Sequence, residues 1–194
     1  LKRYYDSEIG TYEILKSLST FKPLEITEDN IDNGIAKAES EQGFKITDEQ
    51  RKVVLNSLND NVCFIVGFAG TGKSTISRAI LNIYADANYS IACFAFSAKA
   101  AQRIIEATGF RASTIHKLLG SNPNGKFDYD RFNPLDKDVI LVDEGSMINA
   151  YIFYFFHNKT TSVRKLYESS ILDEQAAYIS IASAVGSVYV NIVR

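Results

Sequence analysis

The chain has 194 residues, of which 46% are hydrophobic and 23% charged, ordinary usage for a globular protein and unlike that of disordered, collagen-like or disulfide-framework chains. A chain of this size buries roughly 70% of the surface its unfolded form exposes, so one packed domain with an appendage is the expectation. The formal net charge of −2 excludes the global basic field of a polybasic nucleic-acid binder and leaves a local patch as the means of gripping phosphates.

Cys63 and Cys93 sit inside apolar runs, where a free thiol behaves as a small hydrophobe. With only His116 and His157 to help, they do not make a zinc site, and a reducing, cytoplasmic setting is expected. No run reaches the roughly 18 apolar residues needed to span a bilayer. The opening residues Leu1 to Asp6 lack the apolar core of a signal peptide, so no membrane partner is expected. The chain does not begin with methionine, which reads as a fragment.

In chain order, Tyr5, Ile9, Tyr12, Ile14, Leu15 and Leu18 recur at three- and four-residue spacings, predicting an amphipathic helix that ends before Pro23. From Glu25 to Lys45 the chain is polar and mostly acidic, punctuated by Gly34 and Gly43. It reads as a helical lead-in or linker outside the core. Thr47 and Gln50 then have capping-box spacing ahead of Val53, Val54, Leu55 and Leu58, so a helix starts there.

Val62 to Val66 is a short continuous apolar run, followed by a glycine-rich loop and a helical pattern from Ser74 to Tyr84. The order recurs with Ile91 to Phe96 and the alanine-rich Ala98 to Ala107, and Val139 to Val142 gives a third apolar run ending on Asp143 and Glu144. Uninterrupted apolar strands alternating with helices predict an α/β fold, a parallel sheet with helices on both faces, spanning about Thr47 to Ala150. Between these runs, residues 120–134 combine turn residues with alternating Phe127, Tyr129 and Arg131 and predict a projecting hairpin. Ser187 to Val193 alternates like a strand, while Asn158 to Ile181 reads as polar loop plus helix.

Gly67, Phe68, Ala69, Gly70, Thr71, Gly72, Lys73, Ser74 matches G-x-x-x-x-G-K-[ST] directly after a predicted strand and before a predicted helix. That context makes it a phosphate loop. Its backbone N–H groups point at phosphate oxygens and the helix adds its positive end. Lys73 would reach the β and γ phosphates and Ser74 would ligate Mg²⁺. Gly67, Ala69, Gly70, Thr71 and Gly72 form the cradle; Thr75 either joins it or packs in the first turn. Asp143 can hold the metal and Glu144 can orient or deprotonate an attacking water, a pairing suited to hydrolysis of ATP.

Taken in order, TDEQ (Thr47 to Gln50), GFAGTGKST, FSAKAAQRI, STIHKLLG (Ser113 to Gly120) and LVDEGSM resemble the motif series of RecD/TraA-type superfamily one DNA helicases, over about Lys45 to Ala150. The segment before Thr47 resembles, more weakly, the helical region that precedes the motor in such proteins. The resemblance implies a P-loop NTPase of RecA-like fold over residues 47–194, preceded by a small helical region over residues 1–46. It implies ATP-dependent movement 5′ to 3′ on single-stranded DNA, with ATP and Mg²⁺ as cofactors. It assigns catalysis to Lys73 and Glu144, the metal to Ser74 and Asp143, and adenine to Gln50, which the spacing alone reads as a capping residue. Ser97, Lys99, Thr114 and His116 would contact DNA, joined by a local excess of charge from Arg103, Arg111 and Lys117.

Two departures stand out. The family carries proline and glycine where this chain has Phe96, Ser97 and Ala98, and residues 151–194 leave the family pattern, with no second motor domain. The expectation is therefore a motor fragment that binds nucleotide, hydrolyses it slowly and lacks its second domain in cis, with any nuclease or helicase subunits unspecified. A P-loop phosphotransferase and a non-hydrolysing, nucleotide-dependent binding module are the alternatives.

Overall fold

The computed structural model describes residues 9–10, 12–13, 16–17, 20–67, 70–118, 135–143, 165–170 and 189–193. Residues 9–10, 12–13 and 16–17 are helical, as the amphipathic spacing predicts. There follow α1 (Glu28–Gln42), α2 (Asp48–Leu58), β1 (Val62–Gly67), α3 (Lys73–Asp86), β2 (Ile91–Ala95), α4 (Ala98–Thr108), β3 (Ala112–Thr114), α5 (Ile115–Leu118), β4 (Val139–Asp143), β5 (Lys165–Ser170) and β6 (Tyr189–Val193). The strands form one sheet in the order β3-β2-β4-β5-β1-β6, and every neighbouring pair is parallel. This is the expected α/β architecture. The predicted hairpin at residues 120–134 lies outside the described residues.

The sheet explains the apolar runs. All six residues of β1 are buried, as are Val139, Ile140, Leu141 and Val142 of β4; a strand covered on both faces has no polar side to show. β6 is the strand read at Ser187 to Val193, and it pairs with the outer side of β1. The reading of Asn158 to Ile181 as loop plus helix is corrected. Lys165–Ser170 forms β5, seated between β4 and β1 with Val139 and Val62 in register with Lys165 and Leu166. Its sequence, KLYESS, has neither an apolar run nor a clean alternation, so local pattern carries no strand signal. Backbone pairing on both sides places it instead.

α3 is the central helix. Ile76, Ser77, Ala79, Ile80, Leu81, Asn82, Ile83 and Tyr84 are all buried, so it is covered all round and not along a single stripe. α1 is the helical lead-in read at residues 25–45, and it supplies part of that cover, which corrects its placement outside the core. Gly34, Ile35 and Ala38 of α1 are buried, and a Cβ at Gly34 would stand 2.6 Å from the backbone nitrogen of Ile83. The two helices touch through a missing side chain, a contact that apolar periodicity does not reveal. Amides close the seam: Asn30 Nδ2 donates to Asp86 Oδ2 at 2.9 Å and Asn82 Nδ2 to Glu41 Oε2 at 3.3 Å.

The chain ahead of α1 runs along the amino ends of the strands. Leu24 is buried, Asn61 Nδ2 donates to the Phe21 carbonyl at 2.6 Å, and the Tyr89 hydroxyl donates to the Glu25 carbonyl at 3.1 Å. At the same edge Asp138 Oδ2 accepts from the Ser90 backbone N–H at 2.9 Å and from the Ser90 hydroxyl at 2.7 Å. Cys63 and Cys93 are free and buried, and burial pushes the Cys93 thiol up to about 12, so it is inert as a nucleophile. Among the described residues no helix is long and apolar enough to cross a membrane.

Gly34→Ala forces a methyl group into the Ile83 backbone. Overpacking of this kind costs about 1 to 3 kcal/mol, and urea unfolding followed by circular dichroism should show a lower midpoint with an unchanged slope.

Candidate functional site

β1 ends on the buried Gly67 and the chain turns into α3. Gly70 has φ 82° and Gly72 φ 87°, left-handed values that a Cβ makes costly. Gly72 is the N-cap of α3 and no side chain caps that helix. The first helical bond runs from the Ile76 N–H to the Gly72 carbonyl at 3.0 Å. The earlier N–H groups of the turn therefore point out of the helix together with its positive dipole end, an arrangement suited to phosphate oxygens.

Lys73 is the first residue of α3, and its Nζ donates to the Gly67 carbonyl at 2.7 Å, folded back over the loop. Burial pushes its pKa below the usual lysine value, and the Asp143 carboxylate opposes that shift. Ser74 is exposed on the first turn and Thr75 is half-buried. Phe68 and Ala69 lie outside the described residues.

Asp143 closes β4. The register aligns Thr114 with Ala95, Ala95 with Asp143, Asp143 with Ser169, and Ser169 with Ile65. In the sheet β5 stands between β4 and β1. Two strand spacings set the Asp143 backbone about 10 Å from β1. Among the described residues no cluster of three or more His, Cys, Asp or Glu could hold a metal. One hydroxyl at Ser74 and one carboxylate at Asp143 fit Mg²⁺, which keeps waters and takes its remaining ligands from phosphate. Glu144, Ser146 and Met147 lie outside the described residues.

Gln50 reaches the same loop from α2. The Thr47 N–H donates to Gln50 Oε1 at 3.1 Å and the Gln50 N–H to Thr47 Oγ1 at 3.2 Å, the predicted capping box. Nε2 of the same side chain points to the Thr71 carbonyl at 3.4 Å, and a Cβ on Gly72 would collide with it. Sequence spacing finds the cap but not this contact, which spans 21 positions.

The residues proposed for DNA gather at the carboxyl ends of β2 and β3. Ser97 Oγ accepts from the Ala100 N–H at 3.1 Å and caps α4. Thr114 Oγ1 accepts from the Lys117 N–H at 3.1 Å. Both hydroxyls therefore also hold helix starts. Lys99 and His116 are exposed, and the His116 ring meets Phe96 edge-on with centroids 5.4 Å apart. Sequence reasoning marks Phe96 as the end of an apolar run and as a departure from the family; its pairing with His116 joins the end of β2 to α5 and has no local signal. Arg103, Arg111 and Lys117 are exposed as well.

Gly72→Ala places a methyl group both in the left-handed region and against the Gln50 amide. The loop relaxes away from this cradle, and restoring it on binding, at about 1 to 3 kcal/mol, should lower ATP affinity by about five- to 150-fold in calorimetric titration. Lys73→Met has a separate signature. A folded-state lysine pKa below the unfolded value means that the unfolded chain binds more protons between the two, so stability rises with pH through that window. Wild type should show this rise on approaching the ordinary lysine value of 10.5, and the difference between wild type and Lys73→Met in thermal melts should change over the same interval.

The AAA domain family (AAA_19) matches residues 50–167, beyond Ala150 and into β5. The ATP-dependent RecD2 DNA helicase of Deinococcus radiodurans is 35% identical over 103 residues, covering 53% of this chain and 14% of its own length. The RecBCD enzyme subunit RecD of Haemophilus influenzae is 33% identical over 173 residues, covering 76% of this chain and 27% of its own length. The chain thus corresponds to a minor part of each relative. Among solved structures, the UvsW helicase of bacteriophage T4 shares the fold, with a TM-score of 0.56 at 11% identity over 88% of this chain and 69% of that one. A match over more than half of the chain, in agreement with the motif order and the sheet that carries it, makes this protein a member of the AAA domain family, of the kind found as the first motor domain in RecD-type superfamily one helicases.

Proposed function

We propose that this chain is the ATP-binding motor domain of a DNA helicase that couples ATP hydrolysis to 5′-to-3′ movement along single-stranded DNA. The observation that carries the reading is the common edge. Gly67 and Lys73, Asp143, and the segment around Ser97 and Thr114 all stand at the carboxyl ends of parallel strands, where doubly wound sheets bind their ligands. Nucleotide and nucleic acid would then share one surface, and a change at the phosphates could be felt by the DNA.

In this reading Gly67, Ala69, Gly70, Thr71, Gly72 and Thr75 cradle the phosphates, Lys73 neutralises their charge, Ser74 and Asp143 hold Mg²⁺, Glu144 activates water, and Gln50 contacts adenine. Mg²⁺ held by Ser74 and Asp143 would supply positive charge to offset that of the phosphates. Ser97, Lys99, Thr114 and His116 grip the DNA backbone without reading sequence, as short hydroxyls and single cations do. The buried free thiols support a cytoplasmic setting.

The partner in catalysis is a second motor domain that reaches the γ-phosphate with an arginine, as in related two-domain motors. Without such an arginine the rate falls by roughly 10³ to 10⁵. These 194 residues would therefore hold ATP with little turnover.

The test is ATP hydrolysis with and without single-stranded DNA, for the 194-residue chain, for a protein extended through a second motor domain, and for Lys73→Ala in each. Turnover should be stimulated by DNA only in the extended protein and should vanish with Lys73→Ala. An extended protein that binds ATP but ignores DNA would sink the helicase reading in favour of a phosphotransferase.

A further inference from the structure

The Gln50 side chain is held in one orientation, and the chemistry of its two neighbours dictates which. A backbone N–H can be met only by an acceptor, so the amide atom facing Thr47 N–H is Oε1, at 3.1 Å. A carbonyl can be met only by a donor, so the atom facing Thr71 O is Nε2, at 3.4 Å. Turning the amide over would oppose donor to donor and acceptor to acceptor at both ends. The amide lies close against Gly72, where a Cβ would collide with Nε2.

Two bonding positions of this amide remain, one N–H of Nε2 and one lone pair of Oε1. Among the described residues no further hydrogen bond to either is seen, and Gln50 is half-exposed. A donor and an acceptor side by side pair with N7 and the N6 amino group of adenine. Guanine offers two acceptors at that edge, N7 and O6, so a fixed Oε1 would face O6 and repel it. A freely turning amide would discriminate far less.

We propose that Thr47, through its backbone N–H and together with the Thr71 carbonyl, is a positioning residue that fixes the Gln50 amide and so selects adenine over guanine nucleotides. This rests on the reading of Gln50 as the adenine contact and adds what orients it. The role belongs to the Thr47 backbone, so it is separable from the hydroxyl that caps α2.

That separation can be made by mutation. Thr47 has φ −73°, close to the value proline imposes, so Thr47→Pro removes the N–H in a backbone that accepts the ring. Thr47→Ala removes only the hydroxyl. Gln50→Glu keeps an acceptor for Thr47 but has no donor for Thr71 or N7. Binding of Mg-ATP and Mg-GTP to the 194-residue chain is measured by calorimetry, with inorganic tripolyphosphate as a probe of the phosphate loop.

Wild type and Thr47→Ala should prefer ATP by about ten- to a hundredfold. In Thr47→Pro and Gln50→Glu the ratio should fall toward unity, while tripolyphosphate binds wild type, Thr47→Ala and Thr47→Pro alike. If Thr47→Pro keeps the wild-type ratio and Gln50→Glu loses it, the positioning role is wrong and the Gln50 reading survives. If both keep it, the Gln50 reading itself fails. Should Thr47→Pro not fold, wild type alone decides: GTP should bind more weakly than a purine nucleotide bare at position 6, because fixed Oε1 meets O6. GTP binding as well as that analogue, or better, would overturn the proposal.

Discussion

The turn from β1 into α3 has to expose backbone N–H groups to a ligand while its two ends stay fixed, and the rest of the molecule is arranged around that demand. Gly70 and Gly72 take left-handed conformations that let the chain curl without side chains in the way. Such a loop has little stability of its own. It is held because β1 is buried along its whole length and α3 is covered on nearly every side, so neither end can shift without opening the core.

That cover comes from several directions. The sheet lies beneath α3, and α1 crosses it so closely that Gly34 is in contact with the Ile83 backbone. α2 adds Gln50, whose amide lies against Gly72. The segment from Glu25 to Gln42 is therefore structural in a direct sense: it fills the outer face of the helix that follows the glycine-rich turn. Its polar composition reflects the solvent side, while a few small or aliphatic residues, Gly34, Ile35 and Ala38, make the contact.

The two edges of the sheet are used differently. At the amino edge, polar side chains are spent on one another and on backbone groups, as in the Ser90 and Asp138 bonds and the Asn61 and Tyr89 ties to the preceding segment. At the carboxyl edge lie the turn, Asp143 and the Ser97 and Thr114 helix starts. Interposing β5 between β1 and β4 sets Asp143 back from the loop, yet its charge still acts on Lys73 against the cost of burial.

Local chemistry determined much of this. The run VCFIV, the glycine spacing, Lys73, Ser74 and the apolar run ending on Asp143 are short-range patterns, and they determined the strands and the turn. The Thr47 to Gln50 spacing likewise fixed a helix start, since a capping box involves only neighbours along the chain. What depends on distant partners had no such signature. KLYESS became a central strand only because β4 and β1 offered it backbone pairs on both sides. α1 entered the core through the absence of a side chain at Gly34, and the Gln50 amide acquired its orientation from Thr71, brought to it by the fold. Periodicity reports which face of an element is apolar; only the folded chain decides which element meets that face, and which polar atom meets which.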